Sequence, residues 1–552
     1  MGHNVEVADV VVLGAGAAGL AATVAARAEG ASVALLDSGS TVGGTAALSA
    51  GVIWIPCNHH ARESGITDNA ELALTYVQTL SNGRIDEPLA AAYIDDAPLA
   101  LAWLEANTPL RYGLIGYPDY HSENSGALAK GGRSLEPMMF SFRQLGDWAQ
   151  LIACSPSQQA RLRLNASETP YGGYGARPAP TSDEVARRTA NDERGWGQAL
   201  VGALLKAVLD VGVVPRLETR ARRVIREGRD IVGVVATRPD GDEVELRARR
   251  GVVIATGGFD GNDEAKRAYL RGPLTHSVAV ATNVGDGLRL AQDSGAALGC
   301  MQEAFWAPVI NRPGQVTWNE QTFPRASVVV FERSRPGSII VNRAGRRFCN
   351  EATNYNAIVG AFHAVDPNSL SFANLPAFLI FDDEFKRREI VSDVRPDDAP
   401  PAWMPTATTL DDLAATLGID GPTLALTVER FNSFVEGGHD DDYQRGESSF
   451  ERSNGYLDRP GALANLGAVR TPPFYAIELA PGAFGTRGGP RTDRNGRVID
   501  LDGNVIGGLY AAGNAMASVF EMAYPGGGAT LGPALTYGVL AGRHAARRRT
   551  DA

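Results

Sequence analysis

The sequence predicts an α/β protein whose main domain is discontinuous along the chain and carries an inserted α+β domain. Three observations predict it: a glycine-rich turn between a strand and a helix at Gly14 to Gly19, slim strands that recur near residues 251 and 508, and a strand-rich stretch between those two that breaks the pattern. At 552 residues, 44% of them apolar, the chain is too long for one simple core and has ample material for two or three.

The first unit, "DVVVLGAGAAGLAATVAARAEGASVALLD" from Asp9 to Asp37, reads as a strand, a tight turn, an Ala-rich helix and a second strand closed by an acid. A G-x-G-x-x-G pattern alone is weak, but here it follows a strand and opens a helix, which makes the unit Rossmann-like. Gly14 permits the turn, Gly16 lets backbone approach a pyrophosphate, and Gly19 allows close packing. The first-turn residues Ala17 and Ala18 lie at a helix N-terminus, where N–H groups and the dipole favour an anion. Asp37, followed by Ser38, is placed to hold a ribose.

Three further segments favour FAD over NAD as the dinucleotide. "GGTAALSAG" contributes Gly43, Gly44, Thr45, Ser49, Ala50 and Gly51; "GVVIATGGFDGN" contributes Ala255, Thr256 and Gly257; "GLYAAGN" contributes Gly513 and Asn514. Each brings slim backbone to where a long cofactor can pass closely. Only one dinucleotide fingerprint is present, so a second, nicotinamide site has no support.

Together these segments resemble the fumarate reductase and succinate dehydrogenase flavoprotein superfamily, as does "VGDGLRLAQDSGAAL", which adds Asp286 to the expected cofactor contacts. The histidine that carries covalent flavin in some relatives is missing from "GGTAALSAG", so the resemblance implies non-covalent FAD. Within the superfamily the sharper likeness is to the 3-ketosteroid Δ1-dehydrogenases. It rests on "YPDYHSENSGALAKGGRSLEP", "RPGSIIVNRAGRRFCNEATNY", "FGTRGGPRTDRNGRVID" and "YPGGGATLGPALTYG". The resemblance implies a ketone-binding pair in Tyr524 and the Gly528 amide, a base in Tyr355 and its hydrogen-bonding partner in Tyr120, with Tyr117 the competitor for that last role. Ala529 and Leu531, in the final motif, fall among the expected FAD contacts.

The chemistry explains why such residues are wanted. Placing a C=C bond beside a ring ketone means taking a proton from the α-carbon and a hydride from the β-carbon. The α-proton becomes acidic only when charge growing on the carbonyl oxygen meets donors already in place. A phenol at its ordinary pKa of about 10 needs help to act as a base near neutrality, and a second phenol donating to it supplies some. By default any of the 15 tyrosines is a packing residue with a satisfied hydroxyl.

Residues 1–310 and 480–552 are expected to form the FAD-binding domain and 311–479 the substrate domain, with a polar excursion or lid at about 155–195. The net charge of −11 excludes a nucleic-acid or anionic-membrane footprint. Four scattered cysteines without a C-x-x-C fit a reducing cytoplasm, and no run reaches membrane-spanning length. The expected partners are a small cyclic ketone, a 3-ketosteroid foremost, and an external electron acceptor such as a quinone. A smaller cyclic ketone, another steroid position and a fumarate-reductase-type ene reductase are the alternatives. The last needs arginine where "PGGGATLGP" has only small residues. His59 and His60 are adjacent and expected to point apart, giving no metal site, and the acid run in "HDDDYQRGESSFE" is expected to be a solvated face.

Overall fold

The computed structural model describes residues 4–155, 158, 161–169, 177–318 and 321–549. Its first sheet has seven strands. Strand β1 (Asn4–Leu13) leads through Gly14 into helix α1 (Ala17–Ala28), and β2 (Val33–Leu36) follows. After helix α2 (Trp196–Asp210) come β3 (Arg220–Glu227), β4 (Asp230–Thr237) and β5 (Glu243–Ile254). The order across the sheet is β2-β1-β5, then β12 (Val505–Ala511) and β11 (Arg497–Ile499), with β4 beside β5 and β3 beside β4. Strands β2, β1, β5 and β12 run parallel, pairing Val10 with Val33, Val12 with Val253 and Val252 with Leu509.

Val10 to Leu13 are buried on both faces, so this central strand reads as a continuous apolar run. Helix α1 packs on the last helix, α4 (Leu531–Arg547), through small residues. A Cβ on Gly538 would lie 2.5 Å from the Ala18 carbonyl oxygen, and one on Gly542 would lie 2.3 Å from that of Ala22. The predicted cofactor segments at Gly14, Asp37, Ala255 and Gly513 therefore all stand at the C-terminal ends of parallel strands, the edge where open α/β sheets bind ligands.

The second sheet also has seven strands. Its long members are β6 (Ala304–Trp318), β7 (Gln321–Val328), β8 (Ser338–Asn342), β9 (Ala377–Asp382) and β10 (Phe474–Thr486), in the order β7-β6-β10-β9-β8. Alternation sorts its side chains: Ile340, Leu379 and Phe381 face a core with helix α3 (Tyr355–Phe362), whereas Ile339, Val341, Phe378 and Ile380 face helices Leu410–Leu417 and Gly421–Gly437. Residues 310 and 480 lie inside β6 and β10, which pair from Ala304–Thr486 to Ile310–Leu479 within the second sheet.

In the 155–195 stretch, residues 156, 157, 159, 160 and 170–176 lie outside the described residues. The rest is tied to the body: Gln158 donates to the Ala47 carbonyl at 3.1 Å, and Arg188 forms a buried pair with Glu168 at 2.6 Å. The acid run departs from expectation. Asp440 is fully buried, its carboxylate gripped by Arg347 at 2.7 and 3.0 Å, and only its neighbours face solvent. The buried guanidinium of Arg347, also bound to Glu351, draws the chain inward there. Among the described residues no helix is long and apolar enough to cross a membrane.

Candidate active site

The four slim segments converge on the turn after β1. Gly14 has φ of +104°, and a Cβ there would stand 2.3 Å from the Ala255 carbonyl oxygen, so any other residue is excluded twice over. Gly43 donates to the Ala15 carbonyl at 2.9 Å, and Gly16 bridges to Gly43. Gly513 lies close to Ala18, where a Cβ would be 3.1 Å from the alanine methyl. Helix α1 starts at Ala17 with no side chain capping it and no acid in its first turn, so the amides of Ala17, Ala18 and Gly19 open onto the cradle. Above Gly16 there is space: a Cβ there would find only the Gly43 oxygen, at 3.9 Å.

The polar members are held in different ways. Asp37 accepts from the Ala15 N–H at 2.6 Å and the Gly39 N–H at 2.8 Å. Burial pushes its carboxyl up, against those two donors, and it keeps part of its surface open beside Ser38. Thr45 accepts from Asn283 at 3.2 Å, Thr256 from the Gly287 N–H at 3.1 Å, and Ser49 from the Gly51 N–H at 2.9 Å. Asp286 forms a two-point ion pair with Arg220, both contacts at 2.8 Å, so its carboxylate is already matched within the chain. Gly257 packs on Asn283, and Gly44 and Ala50 lie along the same run of backbone. Gly513, Asn514, Ala529 and Thr530, with Phe305 and Arg487, line a small cleft, and Leu531 opens the last helix.

Tyr120, Tyr355 and Tyr524 meet, although they come from three distant parts of the chain. The Tyr120 hydroxyl donates to that of Tyr355 at 2.9 Å, and the Tyr355 hydroxyl donates to that of Tyr524 at 3.0 Å. Thr530 extends the chain, its hydroxyl 3.3 Å from that of Tyr524. The three rings lie 5.4 to 5.6 Å apart, walled by Phe450, Phe484 and Phe305. The Tyr117 hydroxyl donates to Asn454 at 3.2 Å, and its ring packs edge-on against Tyr120.

What holds the three phenols together is a closed set of ties between their sequence neighbours. The Tyr120 N–H donates to the carbonyl of Pro525, the residue after Tyr524, at 3.0 Å, and Tyr76 donates to the same oxygen at 2.7 Å. Asn354, before Tyr355, donates through Nδ2 to His121, after Tyr120, at 2.8 Å. The Asn354 oxygen meanwhile caps helix α3, which fixes the amide's orientation and leaves His121 Nε2 as the acceptor. Arg487 closes the triangle, donating to the Ala523 carbonyl at 2.7 Å and to Asn356 at 2.8 Å. Asp119 anchors the Tyr120 loop from behind by accepting from Trp54 and Arg133, both at 2.8 Å.

Arg487 is fully buried, and among the described residues no carboxylate lies within ion-pair distance of it. Burial pushes its pKa down, and its guanidinium lies 5.2 Å from the centre of the Tyr524 ring. It is thus a buried positive charge beside the Tyr524 ring. Gly528 has φ of +99°, and a Cβ on it would stand 2.3 Å from the carbonyl carbon of Ile53. Among the described residues its N–H has no protein acceptor, while its carbonyl accepts the first bond of helix α4, from Gly532 at 2.9 Å. The helix proper begins at Leu531, three residues after the glycine.

The motifs carried Tyr120, Tyr355 and Tyr524 but not their supports. His121, Asn354, Asn356, Arg487 and Thr530 stand beside or inside the same motifs. The available signal was Arg487 among glycines in "FGTRGG".

The FAD binding domain family matches residues 9–531. A 3-oxosteroid 1-dehydrogenase of Mycobacterium tuberculosis is 36% identical over 98% of this chain and 99% of its own length. This chain belongs to the FAD-dependent 3-ketosteroid Δ1-dehydrogenase family. A 4-oxocyclohexanecarboxylate 2-dehydrogenase of Sinomonas cyclohexanicum is 38% identical over 97% of this chain and 92% of its own. The crystal structure of 3-ketosteroid Δ1-dehydrogenase from Sterolibacterium denitrificans, in complex with 1,4-androstadiene-3,17-dione, superposes with a TM-score of 0.88 at 32% identity, covering 98% and 99% of the two chains. As a member of this family the protein is an oxidoreductase of CH–CH groups that binds FAD, and the cradle fits that cofactor. The uncapped amides of α1 suit a pyrophosphate, the space above Gly16 admits it, and Asp37 retains acceptor capacity for a ribose.

Proposed function

We propose that the protein introduces a C=C bond next to the ring ketone of a 3-ketosteroid, at the Δ1 position. The observation that carries this reading is the hydrogen-bonded phenol chain ending at Tyr524, four residues before a glycine amide that has no protein acceptor among the described residues. The Tyr524 hydroxyl and the Gly528 N–H grip the carbonyl oxygen, each donor lowering the barrier by roughly 3 kcal/mol as charge grows there. Tyr355 takes the α-proton. Ionised, it can accept from Tyr120, a bond that favours the phenolate, while the single proton of Tyr524 goes to the carbonyl oxygen. Arg487 adds its buried positive charge beside Tyr524. Bound FAD supplies the acceptor for the β-hydride. The roles of the expected cofactor contacts, and the absence of a covalent link to FAD, belong to the same proposal.

A second reading, a smaller cyclic ketone with a carboxylate, is favoured by the 38% identity to the 4-oxocyclohexanecarboxylate enzyme. A quinone or similar carrier is the proposed electron acceptor, and the four free cysteines suit the cytoplasm as the proposed location. Anaerobic mixing of the FAD-loaded protein with 3-ketosteroids and with 4-oxocyclohexanecarboxylate tests the readings. Bleaching of the flavin by 3-ketosteroids alone is expected. Bleaching by the keto acid alone selects the second reading, and bleaching by neither class removes both.

A further inference from the structure

The adjacent histidines do not point apart. They open the short helix His59–Glu63, and their side chains fold to one side, with ring centres 4.1 Å apart. The Nε2 atoms of His59 and His60 each stand 3.0 Å from the same oxygen, Oε2 of Glu105. The other carboxylate oxygen accepts the Tyr112 N–H at 2.8 Å, which fixes the carboxyl plane. A ligand atom from each of the three residues lies within 4.8 Å of the other two.

We propose that His59, His60 and Glu105 form a binding site for one divalent transition-metal ion of the Zn2+ type. Two imidazoles and a carboxylate are a donor set that such ions take, with the fourth position left to water. Tetrahedral ligands at about 2.0–2.1 Å from a zinc ion stand about 3.3 Å from one another. The two 3.0 Å separations need only a few tenths of an ångström of opening to admit it. The histidine side chains are 24% and 22% exposed, so an ion can enter from solvent, and Glu105, at 10%, is the fixed floor.

A second observation points to a cation here. Glu105 sits in the last turn of the helix Glu87–Asn107, which has no basic residue in that turn. A carboxylate there opposes the helix dipole, and a cation reverses the local sign. An ion would staple helix His59–Glu63 to this long helix and to the strand Tyr112–Leu114. Through Ile53, five residues before Asn58, it would also brace the backbone that packs on Gly528.

The test uses the untagged, FAD-loaded chain, dialysed against a chelator and then titrated calorimetrically with Zn2+ or, separately, Mg2+. One saturable Zn2+ per chain and no Mg2+ uptake are expected, with a rise in the thermal midpoint on Zn2+ binding. The double variant His59→Ala/His60→Ala is expected to bind at least about 100-fold more weakly, since loss of an outer-shell partner alone weakens metal sites by 10–100-fold. Glu105→Gln can keep the Tyr112 bond through its carbonyl oxygen and should weaken binding likewise. Far-ultraviolet circular dichroism and flavin content confirm that each variant is folded. Zn2+ uptake by the folded double variant equal to that of the unaltered chain, no uptake by either, or equal uptake of Mg2+ would overturn the proposal.

Discussion

The glycine cradle around Gly14 and the phenol cluster around Tyr355 are built by opposite means. The cradle is made of backbone: a turn, a helix start and two neighbouring strand ends, most of it within the first 51 residues, where removal of side chains creates the function. The cluster is made of side chains from partners 235 and 169 residues apart, and its geometry exists only once both sheets are assembled. A backbone site fails all at once when a Cβ is added. A side-chain site loses one contribution at a time, and the size of each loss reports how directly that group touches the reaction.

Substitutions that sharpen this contrast can be ranked. The largest effect is expected from Gly14→Ala, whose Cβ would collide with the Ala255 carbonyl at 2.3 Å; the purified protein should lose its flavin, read as the disappearance of absorbance at the flavin band. Full flavin content in that variant would break the contrast outright. Tyr355→Phe should retain FAD yet lose turnover by roughly 100- to 10,000-fold, the range for removal of a general base, in steady-state assays with the substrate that bleaches the flavin. An unchanged rate would remove Tyr355 as the base.

Tyr524→Phe should come next, lowering kcat by roughly 100-fold through loss of one oxyanion donor. Arg487→Met deletes both the buried charge and the tie between Ala523 and Asn356; a loss of roughly tenfold in kcat with flavin retained is expected, within what one or two buried hydrogen bonds supply. Asn354→Ala is the smallest. It should reduce kcat by a few-fold and stability by about 1 kcal/mol, the usual loss for a helix cap, and a denaturant titration measures the latter. A larger kinetic effect from Asn354→Ala than from Tyr524→Phe would mean that the ties, rather than the phenols, carry the chemistry.

Legibility in the sequence follows the same division. Gly14, Gly16, Gly19 and Asp37 are spaced by local geometry, so strand, turn and helix can be read from a single stretch, and the sheet places them as expected. The tyrosines were reached only through resemblance to a family, because nothing local in "NEATNY" distinguishes a base from a packing residue. The ties among His121, Asn354, Asn356 and Arg487 were out of reach, since each bond joins segments far apart in the chain. The strand-rich stretch was legible as a second sheet, whereas where β6 and β10 begin and end depends on pairing partners that composition does not reveal. Adjacent histidines were misread because backbone divergence fixes only where the side chains start, and both imidazoles are long enough to reach the one Glu105 carboxylate.

The triangle of ties grips the chain on either side of each phenol, and its hydrogen bonds use no atom of the lining rings Phe305, Phe450 and Phe484, although the Arg487 guanidinium packs 4.6 Å from the centre of the Phe305 ring. The bonds that set acid–base geometry are thereby distinct from the rings that shape the cavity. Drift in the lining can refit the protein to a ligand of another length without disturbing proton transfer. That separation gives a physical reason why relatives of nearly equal similarity are named for a four-ring and a one-ring ketone.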